Sequence, residues 1–414
     1  MKALTLLVGL VAVVCLSAAD DGYPLAVSFD GITVTRGPSV LVPGVKSALA
    51  FRFSDGRMVV GQGTGTRWSA DGGKTWVPGP PGPGEKVAID LGRGEILSID
   101  SKSQRRPDGR FTLKLRRSLD DWQSQQAEQA VLDLPEAGPT SLGGGDVVDG
   151  FLFHHGILQL PGGRLIATMY GNYRGDSILC DGYPPELGQR KYRTVVVFSD
   201  DRGRTWGHPV LVAYDRMLGR GIPEGHPLAG RSLPNEQTET LTAVPAVTQE
   251  GFREADLARA PNGDLLCVMR SGGRNGGAAV LFPTPLYCAR SHDLGQTWTL
   301  PAQIADRGVC PALGVLGDGV IVCTYSRPGN WVIFSADNGL TWKGAMQFGS
   351  SGAYDYLAVL APDTFIVFHE VPEGPGKSVY ATFFQVKAAA APKDADLGNA
   401  RGRNAASGKA ADPE

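Results

Sequence analysis

Four copies of the pattern Ser-x-Asp-x-Gly-x-Thr-Trp constrain the fold of this chain more than any other feature. They occupy Ser69–Trp76, Ser199–Trp206, Ser291–Trp298 and Ser335–Trp342, and a degenerate copy lies at Ser118–Trp122. Each copy follows an extended apolar run; its Asp and Gly suit a tight reversal, and its Thr-Trp pair resumes a strand. Each copy therefore predicts the turn of a β-hairpin within a repeat architecture.

A second repeat, made of a strand, a tight turn and another strand, alternates with the first. Its six turns fall at Asp55-Gly56, Arg93-Gly94, Gly162-Gly163, Asn262-Gly263, Asp318 and Pro362-Asp363. Two successive hairpins make a four-stranded sheet. After the sixth turn only Val379–Val386 follows, and Val27–Thr35 from the start of the chain can complete that sheet. The pattern predicts an all-β, six-bladed propeller that forms a single domain over residues 20–387.

Charge and the chain ends narrow the class of protein. The net charge of −2 over 414 residues argues against nucleic acid or an anionic membrane as the main partner. An apolar run that ends in Ser17-Ala18-Ala19 predicts a signal peptide over residues 1–19. Residues 388–414 lack large apolar side chains, which predicts a disordered tail. We therefore expect an exported protein, either secreted or periplasmic.

Removal of a signal peptide leaves five cysteines, Cys180, Cys267, Cys288, Cys310 and Cys323. Their number is odd and their spacing matches no zinc pattern, so the sequence predicts no metal site. Cys267 and Cys288 are expected on neighbouring strands, where a disulfide can form in an oxidising compartment. Buried free thiols on strands are the alternative.

Propeller topology would place the box turns on one face and the long insertions on the other. The insertions are Gly171–Lys191, Tyr214–Gly251 and Ser271–Pro285. Polar or ionisable residues at the ends of inner strands share the insertion face: Lys46, His154, His155, Arg253, Glu254, Arg270, Arg327, Tyr354, His369 and Glu370. Singly, each residue could merely solvate the tunnel mouth or pair with another. Together they favour a site for an anionic, hydroxyl-rich ligand.

The boxes resemble the Asp-boxes of the sialidase superfamily, and three further stretches carry the same resemblance. Phe252–Arg270 is similar to the segment in which a Glu opens a strand and an Arg closes the hairpin. Arg327 resembles an arginine that precedes a box strand, and Tyr354–Leu357 resembles the segment that carries a Tyr nucleophile. The similarity covers about residues 40–386, and it is most specific at the boxes.

This resemblance implies roles for four residues. Glu254 would activate Tyr354, while Arg270 and Arg327 would hold a substrate carboxylate. The residue types suit that chemistry, because a sialic acid carries its carboxylate on the anomeric carbon and would repel a carboxylate nucleophile. A neutral phenol avoids the repulsion, and planar guanidinium groups bind a carboxylate bidentately.

Two positions depart from the family pattern. Lys46 stands where the family has the first arginine of its clamp, which keeps the charge but loses the guanidinium fork. The stretch Val60–Arg67, where sialidases carry an Asp general acid, contains no carboxylate. A general acid must therefore come from elsewhere, and His155 is one candidate. Three carboxylates of the first insertion are the others: Asp176, Asp181 and Glu186.

The sequence thus favours an exo-acting, sialidase-like glycoside hydrolase that acts as a monomer on a terminal acidic sugar and needs no cofactor. Its predicted catalytic residues are Tyr354, Glu254 and His155. Its predicted substrate-binding residues are Lys46, Arg270 and Arg327. Two alternatives remain: a carbohydrate-active enzyme of another linkage, such as a neutral exo-glycosidase or a uronan lyase, and a non-catalytic glycan- or protein-binding propeller.

Overall fold

The computed structural model describes residues 15–16, 22–83, 87–143, 146–180, 183–215, 248–272, 285–351, 354–374 and 376–388. Regular structure in these ranges is almost entirely β, with two short 3-10 turns at Gly63–Gly65 and Pro185–Leu187. None of the helical turns described is long and apolar enough to cross a membrane. Almost all of the predicted signal peptide and tail, and most of the insertions 214–251 and 271–285, lie outside the described residues.

Three strands precede the first four-stranded unit: β1 (Cys15–Leu16), β2 (Ala26–Phe29) and β3 (Ile32–Val42). Antiparallel four-stranded meanders then follow one another. Meander 1 contains β4 (Ala50–Arg52), β5 (Met58–Val60), β6 (Arg67–Ser69) and β7 (Val77–Pro78). Meander 2 contains β8 (Val87–Asp90), β9 (Ile96–Arg105), β10 (Phe111–Ser118) and β11 (Gln126–Leu132). A ribbon of β12 (Pro139–Gly143) and β13 (Asp146–Asp149) leads to the next meander.

The remaining meanders repeat this plan. Meander 3 contains β14 (Leu152–Gln159), β15 (Leu165–Gly171), β16 (Arg193–Ser199) and β17 (Thr205–Ala213). Meander 4 contains β18 (Arg253–Arg259), β19 (Leu265–Arg270), β20 (Leu286–Ser291) and β21 (Ala302–Ala305). Meander 5 contains β22 (Val309–Val315), β23 (Ile321–Ser326), β24 (Asn330–Ser335) and β25 (Lys343–Gly349). All six predicted first-hairpin turns are confirmed, five in meanders 1–5 and the sixth in meander 6.

Meander 6 joins the two ends of the chain. It contains β26 (Tyr356–Ala361), β27 (Thr364–Glu373), β28 (Gly376–Ala388) and, as its fourth strand, β3. The predicted single strand Val27–Thr35 is wrong in detail. Asp30 and Gly31 have positive φ and turn the chain, so β2 folds back on β3, and the strand that pairs with β28 runs on to Val42.

The main hydrophobic cores lie between successive meanders, and a smaller cluster packs meander 3 against the β12–β13 ribbon. Six clusters of buried apolar side chains fill the contacts between meanders 2 and 3, 3 and 4, 4 and 5, 5 and 6, 6 and 1, and 1 and 2. The second strands are therefore covered on both faces, which explains why β19 and β23 are buried along their whole length rather than at alternate residues. Neighbouring first strands also contact one another, from β8 through β14, β18, β22 and β26 to β4.

The box hairpins owe their shape to one carboxylate each. In the fourth box, Asp337 accepts hydrogen bonds from the Thr341 amide at 2.8 Å and the Ser335 hydroxyl at 2.7 Å. The glycine is required because Gly339 has φ +83° and an added Cβ would lie 2.5 Å from Leu266 in meander 4. The degenerate copy is confirmed in the same register: Ser118 donates to Asp120, and Trp122, which has positive φ, occupies the glycine position and donates its amide to Ser118.

All five cysteines downstream of the predicted signal peptide are buried, and none forms a disulfide. Cys267 and Cys288 do lie on adjacent strands, β19 and β20, but Cys288 pairs with Val268 and Cys267 pairs with Ala289. Side chains one register position apart point to opposite faces of a sheet. Cys267 therefore joins the core shared with meander 3 and Cys288 the core shared with meander 5, so the alternative of free thiols is the correct one.

Candidate functional site

The regular β-pairing of three neighbouring first strands is broken near the start of each strand. The pairing register shifts between Phe153 and Ile157 in β14, between Arg253 and Asp256 in β18, and between Val309 and Ala312 in β22. Within these irregular stretches His155, Glu254 and Cys310 have φ of +24°, +51° and +51°. Positive φ costs a non-glycine residue about 1–3 kcal/mol and is concentrated at functional sites. Such bulges also redirect side chains out of the regular alternation.

Close packing holds these strands together at the bulges. Gly156 has room for no side chain, because an added Cβ would lie 3.0 Å from the Leu257 amide of β18 and 2.7 Å from the Thr168 hydroxyl. That hydroxyl lies 2.7 Å from the His154 carbonyl and 3.0 Å from the Ala255 carbonyl. A buried Thr on β15 thus ties the backbone beside His155 to the backbone beside Glu254.

Tyr354, Glu254 and Arg270 meet at the start of β18. The Tyr354 hydroxyl donates to Glu254 Oε1 at 3.0 Å, and Arg270 Nη1 donates to Glu254 Oε2 at 2.6 Å. Arg270 Nε also donates to the Gly272 carbonyl at 2.7 Å, which fixes the plane of the guanidinium. Glu254 comes from the first strand of meander 4, Arg270 from the end of its second strand and Tyr354 from the segment before meander 6. The structure therefore brings together three residues that lie far apart in sequence.

A second layer of charges surrounds this group. Glu250 pairs with Arg253 and lies 3.5 Å from Arg270, and it accepts a hydrogen bond from the Tyr183 hydroxyl. Arg253 also lies over the ring of Tyr192, 4.9 Å from its centroid. Glu250, Arg253, Glu254 and Arg270 are all buried. Two carboxylates and two guanidiniums thus form a compact network whose charges balance, as burial requires.

The network sets the protonation states of the central pair. Burial acts to raise the pKa of Glu254, but the positive charges of Arg270 and Arg253 outweigh it and hold that pKa well below its usual value. The negative charge of Glu254, followed by burial, raises the pKa of Tyr354 well above its usual range. At neutral pH the pair is therefore a carboxylate that accepts a hydrogen bond from a neutral phenol.

Aromatic and imidazole rings line the other side of Tyr354. The ring centroids of His154 and His155 lie 6.2 and 6.5 Å from that of Tyr354, and His155 Nε2 is hydrogen-bonded to the Tyr356 hydroxyl at 2.9 Å. The guanidinium carbon of Arg327 lies 5.7 Å from the Tyr354 centroid. Arg327 has φ +63° and is a further left-handed residue at this site. His155 and Arg327, both held at positive φ, are thus placed beside the phenol.

Three of the predicted mouth residues stand apart from this cluster. Lys46 is exposed, and its charge acts on Glu373. His369 is buried, where its Nε2 is hydrogen-bonded to the Thr382 hydroxyl at 2.8 Å and burial lowers its pKa to about 4. It therefore packs as a neutral imidazole. Glu370 accepts hydrogen bonds from the Ala48 amide at 3.4 Å and from Lys377 at 2.5 Å.

The four candidates for the general acid lie in different places. Asp176 is engaged by Arg193 and by the Tyr173 amide, which donates to it at 2.7 Å. Glu186 is exposed on a 3-10 turn, and Asp181 lies outside the described residues. Among the candidates that the structure describes, His155 is the one beside Tyr354.

Sequence reasoning missed Cys310, Glu250 and Tyr356. Cys310 Sγ lies 3.7 Å from Glu254 Oε2, yet nothing in the apolar run of β22 marks it. Glu250 lies three residues before Arg253, a spacing that could have suggested a charged pair. Asp256, two residues after Glu254, was also missed, and burial raises its pKa to about 6. Its oxygens accept the Leu313 and Leu257 amides at 2.7 and 2.8 Å, so it links β18 to β22.

Comparison with known proteins places the chain by fold alone. No family model and no curated protein matches it. A crystal structure of a protein of unknown function from Dyadobacter fermentans is 17% identical, covers 87% of this chain and 100% of its own, and has a TM-score of 0.55. That structure therefore shares the all-β fold described above.

Two enzymes appear at greater structural distance. An ulvan lyase of polysaccharide lyase family PL25 is 12% identical over 88% of this chain and 91% of its own, with a TM-score of 0.46. A mutant of the NanB sialidase from Streptococcus pneumoniae is 13% identical over 90% of this chain and 55% of its own, with a TM-score of 0.38. Both TM-scores are below 0.5, so neither enzyme carries an argument about this chain.

Proposed function

We propose that this protein is an exported glycoside hydrolase that removes a terminal acidic sugar, such as a sialic acid, from a glycan. The observation that carries the proposal is the hydrogen bond from the Tyr354 hydroxyl to Glu254 Oε1 at 3.0 Å. It joins a nucleophile to a base within the reach that proton transfer requires. A binding protein needs no such relay, and Glu254, which is buried, is itself held at positive φ.

The proposed architecture is a six-bladed β-propeller in which each meander is one blade. Six hydrophobic clusters between successive meanders, the last between meanders 6 and 1, are what a closed ring requires. The pairing of β28 with β3 would fasten the ring across the two ends of the chain. First strands then line the axis, and the three bulges open onto it together.

The first chemical step uses Tyr354 and Glu254. As the glycosidic bond lengthens, the anomeric carbon becomes positively charged, and the Tyr354 oxygen attacks it while its proton passes to Glu254 Oε1. The ground state resists this transfer, because Arg270 makes Glu254 a weak base and the charge of Glu254 makes Tyr354 a weak acid. Proton transfer becomes favourable only in the transition state, when the Tyr354 oxygen begins to bond to the positively charged anomeric carbon. Interactions that form only in the transition state are the ones that accelerate a reaction.

The sugar carboxylate would be bound by Arg327, whose guanidinium lies next to the Tyr354 ring. Arg270 acts differently from the simple clamp predicted for it. Its Nη1 is occupied by Glu254 and its Nε by Gly272, so it positions the base and adds positive charge near the substrate anion. Lys46, which is exposed, has no role in this proposal.

His155 completes the cycle as the proton donor. An imidazolium at this position gives its proton to the departing glycosidic oxygen, and the resulting imidazole then takes a proton from the water that attacks the tyrosyl-bound anomeric carbon. The carbon–Tyr354 bond breaks, and Glu254 returns the phenol proton. Two displacements at one carbon retain its configuration.

The test is turnover of aryl sialosides and aryl uronides by the purified protein and by Tyr354→Phe. We expect kcat to fall about 10²–10⁴-fold in the variant. Tyr380→Phe is the matched control, since it also loses a phenol bonded to a carboxylate, Glu373 at 3.1 Å. It should retain activity. Equal turnover by Tyr354→Phe and wild type would exclude Tyr354 as nucleophile, and glycan binding without turnover would favour the non-catalytic alternative.

A uronan lyase is the second candidate, and the pairing of His155 with Tyr354 favours it. Among the described residues of the site, no uncommitted carboxylate is placed to protonate a leaving group. An imidazole and a phenol flanking an acidic sugar can instead remove the proton α to its carboxylate and protonate the departing oxygen. The β-elimination leaves a carbon–carbon double bond. Ultraviolet absorbance that grows on uronic-acid polysaccharides, with no release from aryl sialosides, would select this reaction.

A further inference from the structure

We propose that His154, His155 and Cys310 form a binding site for a zinc-class divalent ion. Each side chain offers one ligand atom, and these atoms all lie within 4.8 Å of one another. His154 and Cys310 are buried, and His155 is half-buried. Imidazole nitrogen together with thiolate sulfur is a donor set that suits Zn²⁺ and not Mg²⁺ or Ca²⁺.

The bulges explain how two adjacent histidines can serve one ion. Successive side chains in a regular strand point to opposite faces. Here the positive φ of His155 breaks that alternation, and the two imidazole ring centroids lie only 4.0 Å apart. Cys310 reaches the same point from β22, where it has its own positive φ. Two strained backbone positions on separate strands thus direct the three ligands to one place.

The separation is compatible with coordination. Bond lengths of about 2.0–2.3 Å to nitrogen and sulfur place tetrahedral ligands about 3.3–3.7 Å apart. The observed upper limit of 4.8 Å would close by about 1 Å through small side-chain rotations. Three protein ligands leave a fourth position, the arrangement of zinc sites that bind water or substrate. A bound ion would hold His155 as a neutral ligand and prevent it from donating the leaving-group proton, so zinc would inhibit the hydrolysis proposed above.

A residue outside the three ligands would help to orient one of them. The Tyr356 hydroxyl is hydrogen-bonded to His155 Nε2 at 2.9 Å, which would hold the imidazole ring in place. Outer hydrogen bonds of this kind orient metal-binding imidazoles. The sequence predicted no metal, because ligands from two distant strands leave no recognisable spacing.

The experiment measures metal binding in the absence of substrate. Its result therefore does not depend on whether the protein is a hydrolase. The full chain is stripped with a chelator, dialysed and titrated with Zn²⁺, and bound metal is counted by mass spectrometry. We expect one equivalent, affinity that increases with pH, and no binding of Mg²⁺ or Ca²⁺. Titration with Co²⁺ should produce a thiolate-to-cobalt charge-transfer band. Affinity should fall at least 100-fold in Cys310→Ser and about 10–100-fold in Tyr356→Phe.

Cys288→Ser is the matched control, because Cys288 is equally buried but lies in the core between meanders 4 and 5. It should bind as wild type does. If Cys310→Ser fails to fold, alkylation of wild type decides the question, since Zn²⁺ should slow modification of Cys310 and leave that of Cys288 unchanged. Failure of the wild-type chain to bind Zn²⁺, or binding that survives in folded Cys310→Ser, would overturn the proposal.

Discussion

Substitution of Glu254 by Gln tests whether the buried charges act as one network. Glu250, Arg253, Glu254 and Arg270 carry two negative and two positive charges, and the side chains of Glu254 and Arg270 are only 6% and 1% exposed. Glu254→Gln keeps the shape and a hydrogen-bond acceptor but removes one negative charge. One guanidinium charge is then buried without compensation, and the nearest remaining carboxylate to Arg270 is Glu250 at 3.5 Å.

Removing one partner of a buried ion pair costs about 3–5 kcal/mol. We expect the lower end, about 3 kcal/mol, because the Gln carbonyl can still accept from Arg270. Acidification should reduce the difference in the free energy of unfolding between wild type and Glu254→Gln. The folded-state pKa of Glu254 is lowered, so its stabilisation is present above the unfolded value and is lost as pH falls through the folded one. Wild type should therefore lose stability on acidification more steeply than Glu254→Gln.

Chemical denaturation at pH 7 measures the effect, with Glu370→Gln as the control. Glu370 pairs with Lys377, which is 48% exposed, and such pairs contribute about 0–1 kcal/mol. The double variant Glu254→Gln/Arg270→Gln leaves the Glu250–Arg253 pair balanced. It should therefore be more stable than the sum of the single losses by about 1–3 kcal/mol. Additive losses, or a cost for Glu254→Gln no larger than that for Glu370→Gln, would refute the network.

Two further predictions concern residues outside the site. Asp201→Ala should lower the free energy of unfolding by about 1–2 kcal/mol without changing kcat, because Asp201 accepts the Thr205 amide and hydroxyl at 2.8 and 2.7 Å. Its exposed neighbour Asp200, which pairs with Arg164, is the control, and Asp200→Ala should leave the denaturation midpoint unchanged. Burial, and then Arg36, lowers the pKa of His369 to about 4, so the folded state disfavours its charged form. The contribution of His369 to the free energy of unfolding should be complete above about pH 6.5 and should fall by about 3 kcal/mol towards pH 4. His369→Gln should flatten this dependence of stability on pH. An unchanged dependence would contradict a neutral, buried His369.

The hairpins could be predicted from the sequence because their causes are local. A box turn is specified by an Asp that accepts neighbouring amides and a Gly that takes positive φ, and both lie within eight residues. Glu254 and Arg270 could be placed because they lie at the open end of one first hairpin, β18–β19, whose Asn-Gly turn is equally local. The degenerate box is specified just as locally, because Ser118 keeps its contact with Asp120 and the Trp122 amide donates to Ser118 as a box glycine does.

The site depends on a feature that no local pattern specifies. A strand such as Val309–Val315 has the same apolar composition whether or not its register shifts, because the shift is set by how its partner and its neighbour pack. That shift decides whether Cys310 enters a core or turns towards Glu254. The same holds for His155, which without its bulge would point away from His154. Since three adjacent strands shift near the same end, the strain is better explained by shared chemistry than by three separate packing accidents.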